Sequence, residues 1–264
     1  MASFGASRPP NQRLATDGLG AAGPKETWRP RAPFRNVGNV TATELRQDLR
    51  PERDRRRMTW LAIEFALLYL GLVGGYAALG SPGSPIPFLI VLAVGAHFWL
   101  RGQRVPSYGL RDHFRMLRTV LPSMLALWVA AAVAIGVALA VLSPDRLFEL
   151  PRAEPLLWTM VIVFYPLFSV YPQELIFRKF LFQRYAPAFG TGWALIAANA
   201  AAFGFAHIIF GNWIAVALTL VGGVLFGYRY RQTGSLLVVS VEHALYGCLA
   251  FTIGLGGFLY HGAS

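Results

Sequence analysis

Along most of this chain the apolar residues come in long unbroken runs. They neither alternate as in a half-buried strand nor recur as on a surface helix. The runs are Trp60 to Leu79, Ile86 to Leu100, Val120 to Leu142, Leu156 to about Phe182, Gly192 to Phe210, Ile214 to Tyr228 and Leu236 to Tyr260. Most approach the ~20 residues that cross about 30 Å of hydrocarbon. A backbone in hydrocarbon must satisfy its own hydrogen bonds, which an apolar segment of this length does as a helix. The second run is short, and the last is long enough for one span or two short helices. The expected fold class is therefore all-α: a polytopic membrane helix bundle of seven or eight transmembrane helices formed by residues 58–264. Residues 1–57 are rich in Pro, Arg, Gly and Ala and lack an apolar period. They read as a disordered basic cytoplasmic tail with one short helix near Thr43 to Asp48. No cleavable signal peptide is expected, since the first long apolar run starts near residue 58.

Composition agrees with the pattern: 55% of the 264 residues are hydrophobic and 14% are charged. The net charge of +11 raises the question of a nucleic-acid partner. Its distribution answers otherwise, because twelve of the 24 Lys and Arg residues precede Met58 and most others fall in loops. With the tail cytoplasmic, the basic stretches Arg101 to Arg118, Arg184 to Gly190 and Arg229 to Arg231 lie inside. The outer Ser143 to Glu154 loop offsets Arg146 and Arg152 with Asp145, Glu149 and Glu154. This satisfies the positive-inside rule. The expectation is an integral protein of the bacterial inner (plasma) membrane, N-terminus cytoplasmic, with membrane lipids and no nucleic acid as partners. Cys248 is the only cysteine, which excludes an internal disulfide.

Ionisable groups inside a bilayer are costly and tend to face a partner or a cavity. Only Glu64, Glu174 and Glu242 among the acids, and His97, His207 and His243 among the histidines, lie within the apolar runs. Glu64 sits one turn into its span, near enough to Arg55 to Arg57 to snorkel, and His97 is expected at the interface. Glu174 and Arg178, four apart, share a helix face and can pair. Asn199, Phe203 and His207 recur every four residues among small residues that admit a close neighbouring helix. Glu242 and His243 are adjacent and differ by about 100° around a helix. One faces a cavity while the other orients or neutralises its surroundings, and Tyr246 follows His243 by three.

Three segments in this order, QELIFR (Gln173 to Arg178), FGFAH (Phe203 to His207) and HALYG (His243 to Gly247), resemble the CAAX-protease and bacteriocin-processing (CPBP, or Abi) family of intramembrane glutamic endopeptidases. That family carries EExxxR, FxxxH and HxxxN on successive membrane helices. The resemblance implies an intramembrane peptidase that hydrolyses a peptide bond in a membrane-associated protein or peptide, with a Glu-activated water and no cofactor. Two positions depart from the pattern: Gln173 stands where the family has its first glutamate, and Gly247 where it has an amide.

On this reading Glu174, helped by His207, activates water, and His243 polarises the scissile carbonyl. Arg178 supports Glu174, Phe203 lies on the stripe, Gln173 orients water or substrate, and Asn199 replaces the amide missing at Gly247. Glu242 is the neighbour that orients or neutralises. Alternatives remain: a zinc site of His207, His243 and Glu174, a non-catalytic membrane scaffold or chaperone, or a transporter. Straight helices would leave His207 about 24 Å deep, against about 12 to 15 Å for Glu174 and His243. A shared site therefore requires tilt, a bend, or a re-entrant start between Pro187 and Trp193, and Pro166 and Pro172 are candidate kinks in the fourth span.

Overall fold

The computed structural model describes residues 42–103 and 108–259, and among these there are helices and turns but no strand. Most of the expected tail, residues 1–41, lies outside the described residues. Residues 47–264 form one compact unit. A helix begins at Ala42 and runs unbroken to Phe65, so the short helix expected near Thr43 belongs to a longer one that enters the first span. Among the described residues, six helices are long and apolar enough to cross a membrane: α1 Asp54–Ala78, α3 Leu110–Leu142, α4 Pro155–Phe189, α5 Trp193–Phe210, α6 Trp213–Thr233 and α7 Leu236–Ile253. Between the first two lies a shorter apolar helix, α2, Ile86–Arg101. The last apolar run is a single span followed by a four-residue turn of helix, Gly256–Leu259. The protein is an integral membrane protein, and its outward face is studded with Leu, Val, Ile and Phe side chains that only lipid would solvate well.

Small residues set a close contact between α5 and α6. A Cβ on Gly223 would come within 2.7 Å of the Ala200 Cα, and one on Gly227 within 2.7 Å of Asn199 Nδ2. The Gly223–Gly227 spacing is the small-xxx-small pattern that lets two membrane helices touch backbone to backbone. Asn199 uses the proximity by donating from Nδ2 to the Gly223 carbonyl at 2.8 Å. Gly234 then turns the chain with φ +61°, and Ser235 caps α7 by accepting from the Val238 N–H at 3.2 Å. Together they make a sharp α6–α7 hairpin.

Helix α4 is not regular. It widens into π turns at Pro166–Val170 and Leu175–Phe180 on either side of Tyr171–Glu174. Pro166 and Pro172 lack the N–H that an α-helix would use one turn back, so the hydrogen-bond ladder is already interrupted here. Tyr69 of α1 donates to the Ile176 carbonyl at 3.1 Å within the second π turn. At the other side of the site, α5 tightens into a 3-10 turn over His207–Phe210. Both irregularities fall at the polar residues of the sequence motifs.

Replacing Gly223 with Val should force α5 and α6 apart at a backbone contact. The expected loss is ~1 to 3 kcal/mol, read as a lowered thermal unfolding midpoint in detergent, whereas a similar change at lipid-facing Gly75, with open space around its Cα, should leave the midpoint unchanged.

Candidate active site

The π-widened part of α4 delivers its polar residues to the bundle interior. Glu174 and Arg178 are both fully buried. Arg178 Nε lies 3.1 Å from Glu174 Oε2 but out of line for a hydrogen bond, so the contact is chiefly Coulombic. The other carboxylate oxygen, Oε1, is 2.7 Å from Nδ1 of His243 on α7. Accepting the Nδ1–H of His243 fixes the tautomer and leaves Nε2 on the far side of the ring. There the Tyr165 hydroxyl of α4 stands 3.2 Å away. A chain of carboxylate, imidazole and phenol thus runs from the core outward.

Phe203 lies between these groups and explains why an aromatic ring belongs at that position. The Arg178 guanidinium carbon sits 4.3 Å from its centroid, so the ring face receives a cation that has no hydrogen-bond partner of its own among the described residues. The same ring meets His243 edge-on at 5.5 Å and His207 at 4.8 Å. Phe226 of α6 stacks on His243 at 4.7 Å. His207 is held by its Nδ1, 2.7 Å from the Phe203 carbonyl, which leaves Nε2 as its free nitrogen.

Two cavities meet at this cluster. One, of about 400 Å³, is lined by Tyr165, Gln173, Phe203, His207, His243 and Tyr246 together with apolar residues of α3, α6 and α7. The other, of about 430 Å³, is almost wholly apolar and lies among α1, α2, α4 and α5. Ser169, Gln173 and His207 line both. Gln173 donates from Nε2 to Ser169 Oγ at 2.8 Å, and its Oε1 is buried with no hydrogen-bond partner. Glu174 lines neither cavity and reaches the 400 Å³ one only through His243.

The structure therefore gathers Glu174, Arg178, Gln173, Phe203, His207 and His243 around one centre. It directs two other expected residues elsewhere. Asn199 spends its amide on the α5–α6 packing contact, so it does not stand in for the side chain missing at Gly247. Glu242 forms a two-pronged pair with Arg229, at 2.8 and 3.0 Å, with both residues buried. Arg229 had read as a cytoplasmic-loop cation; its place one turn inside α6, across the hairpin from Glu242, was the signal for the pairing. Glu64 is met by Arg184, whose Nε donates at 2.9 Å, and by the Tyr185 hydroxyl at 3.0 Å, rather than by Arg55 to Arg57. His97 is exposed beside Phe98, on the outward face of α2. Tyr165 escaped the sequence reading altogether because it sits outside all three motifs.

For zinc, three donors would have to converge. Among the described residues no three His, Cys, Asp or Glu side chains do so. Both imidazole Nδ1 atoms are already engaged, and the Phe203 ring lies against both imidazoles.

The centre is thus a buried carboxylate–imidazole pair in a polytopic bundle, with the imidazole lining an intramembrane cavity. Residues 154–249 match the family model described as Rce1-like, Type II CAAX prenyl endopeptidase, itself one of the CAAX protease (CPBP) families. The match spans every residue of the centre just described. No curated protein and no solved structure matches the chain.

Glu242→Gln should strand the Arg229 guanidinium in the protein interior. The expected cost is ~3 to 5 kcal/mol, measured as a fall in detergent unfolding midpoint, and Arg229→Met combined with Glu242→Gln should recover much of it.

Proposed function

We propose that this protein is a peptidase acting within the membrane on a membrane-associated protein or peptide, and that His207 activates the attacking water. The observation that supports this most is the convergence on one cavity of His207, His243 and the unpartnered Gln173 Oε1. Peptide hydrolysis requires a base for water, a fixed dipole or charge for the developing oxyanion and an acid for the leaving amine. His207 Nε2 is the free basic nitrogen on the cavity wall, and the Gln173 side chain on the same wall orients the water. The water oxygen bonds to the carbonyl carbon as its proton passes to His207 Nε2. That proton then goes to the amide nitrogen as the C–N bond breaks.

Glu174 has the part of a positioning residue on this reading. Its carboxylate is enclosed between Arg178 and His243, so it acts through the imidazole it orients, with Arg178 and Phe203 fixing it in turn. The apolar cavity among α1, α2, α4 and α5 suits the hydrocarbon part of a substrate, and its inner end is the Gln173–His207 wall. The family match favours substrates with a lipid-modified or apolar C-terminal segment. The clustering of basic loops favours a cytoplasmic N-terminus in a plasma membrane.

A second reading rests on Gln173 itself: with an amide where a carboxylate would face the cavity, the same fold binds its ligand without cutting it. Three proteins separate the two. Membrane peptides are profiled in cells carrying wild type, His207→Ala or Gln173→Glu, and any cleaved peptide is assayed with purified protein. The peptidase reading expects wild-type cleavage and a ~10²- to 10⁴-fold lower kcat in His207→Ala. Cleavage by Gln173→Glu alone, with none by wild type, would establish the binding protein instead.

A further inference from the structure

We infer that the Tyr165 hydroxyl takes the place of a side-chain amide at Gly247 and donates the hydrogen bond that stabilises the oxyanion of the scissile carbonyl. This rests on the hydrolytic reading above and adds to it a residue outside all three motifs.

The argument begins with Gly247. An ideal Cβ built there would overlap the edge and hydroxyl of the Tyr165 ring. No side chain of any kind fits at 247 while the ring stays where it is. Gly247 is one helical turn after His243, on the same face of α7, and Tyr165 enters that face from α4. The ring is held in place by Phe251, whose centroid is 5.3 Å away at a steep angle, one further turn along α7. Its hydroxyl ends 3.2 Å from His243 Nε2, and Tyr165, His243 and Gly247 all line the 400 Å³ cavity. A glycine on one helix and a tyrosine on another are therefore two halves of one arrangement.

The chemistry follows from the tautomer. Because Glu174 accepts the Nδ1–H of His243, the neutral ring has a bare Nε2, which accepts from Tyr165 but has no proton to offer an incoming carbonyl. The phenol is then the donor at this corner of the cavity. When the carbonyl oxygen gains charge, the O–H turns from Nε2 to that oxygen, and the hydrogen bond strengthens with the charge. No proton is transferred from Tyr165 in the step; it returns to Nε2 when the carbonyl re-forms and the amine departs. Tyr165 is thus a catalytic residue, and His243 with Glu174 holds it in readiness.

The test compares wild type, Tyr165→Phe, Gly247→Asn and the double variant Tyr165→Ala/Gly247→Asn. Detergent melting is measured for all four, together with kcat and KM on the peptide that the wild type cleaves. Tyr165→Phe keeps the ring, so its melting point should stay that of wild type while kcat falls ~10²- to 10³-fold with KM unchanged. Gly247→Asn should melt roughly 5 °C lower and lose activity through its clash with the ring. Removing the ring in the double variant should restore the melting point and bring kcat at least ~10-fold above that of Tyr165→Phe, because the amide then occupies the phenol's place. Wild-type kcat in Tyr165→Phe overturns the inference, and so does a double variant as unstable as Gly247→Asn. If wild type cleaves nothing while His207→Ala behaves identically, the hydrolytic reading falls and with it the oxyanion role. The exchange of phenol for amide is then decided by the melting points alone.

Discussion

Everything around the centre depends on the burial of one carboxylate and one guanidinium in a protein that is itself immersed in hydrocarbon. Glu174 and Arg178 are both at 0% exposure. Desolvating either ion costs several kcal/mol, and their attraction offsets this only when the geometry is good and the remaining polar atoms are engaged. Here the ion contact is misaligned for hydrogen bonding, and relief comes from elsewhere. His243 meets one carboxylate oxygen at 2.7 Å, and Phe203 presents its ring face to the guanidinium. The three motif segments are thereby bound to one another by a single electrostatic problem. Removing any member leaves a charge buried without its partner, so the same residues that build the site also fix how α4, α5 and α7 pack.

That problem also accounts for the irregular helices. A regular α4 would return each carbonyl to the N–H four residues on, but Pro166 and Pro172 withhold two donors and π turns appear on both sides of Tyr171–Glu174. The widened turns spread Tyr165, Ser169, Gln173 and Glu174 over more of the inner face than a straight helix would. Two of these line both cavities, one lines the more polar cavity, and one is enclosed behind His243. On the opposite side the 3-10 turn at His207–Phe210 ends α5 with the imidazole at the cavity. The close α5–α6 contact at Gly223 and Gly227 holds Phe226 against His243.

The apolar runs made the helices legible, because in a bilayer length and hydropathy alone nearly decide the backbone conformation. The i, i+4 spacing of Glu174 and Arg178 and the four-residue stripe through Phe203 and His207 likewise read directly as shared faces. What spacing along one helix does not carry is rotation between helices. Asn199 lies on the stripe of Phe203 and His207, yet it points at α6 because Gly223 and Gly227 open a slot there. Arg229 and Arg184 looked like loop cations, since each stands near a span's end, and both turn inward to acids that are distant in sequence. Tyr165 was hidden for the same reason: its partner, the empty side-chain position at Gly247, is 82 residues away on another helix.

The two departures from the family pattern then have a common physical sense. A glutamate at 173 beside Glu174 would put two carboxylates in a low-dielectric site with Arg178 as the cation nearest them, and like charges so placed do not both ionise readily. Gln173 keeps the hydrogen-bonding shape without the charge, which leaves one carboxylate for one guanidinium. Gly247 gives up an amide, and the space it vacates admits a phenol to the same corner of the cavity. In each case a group is lost from the motif while its place in the cavity stays occupied by a neutral polar group. The result is a centre in which the Glu174–Arg178 ion pair is enclosed behind His243 and lies off the cavity wall.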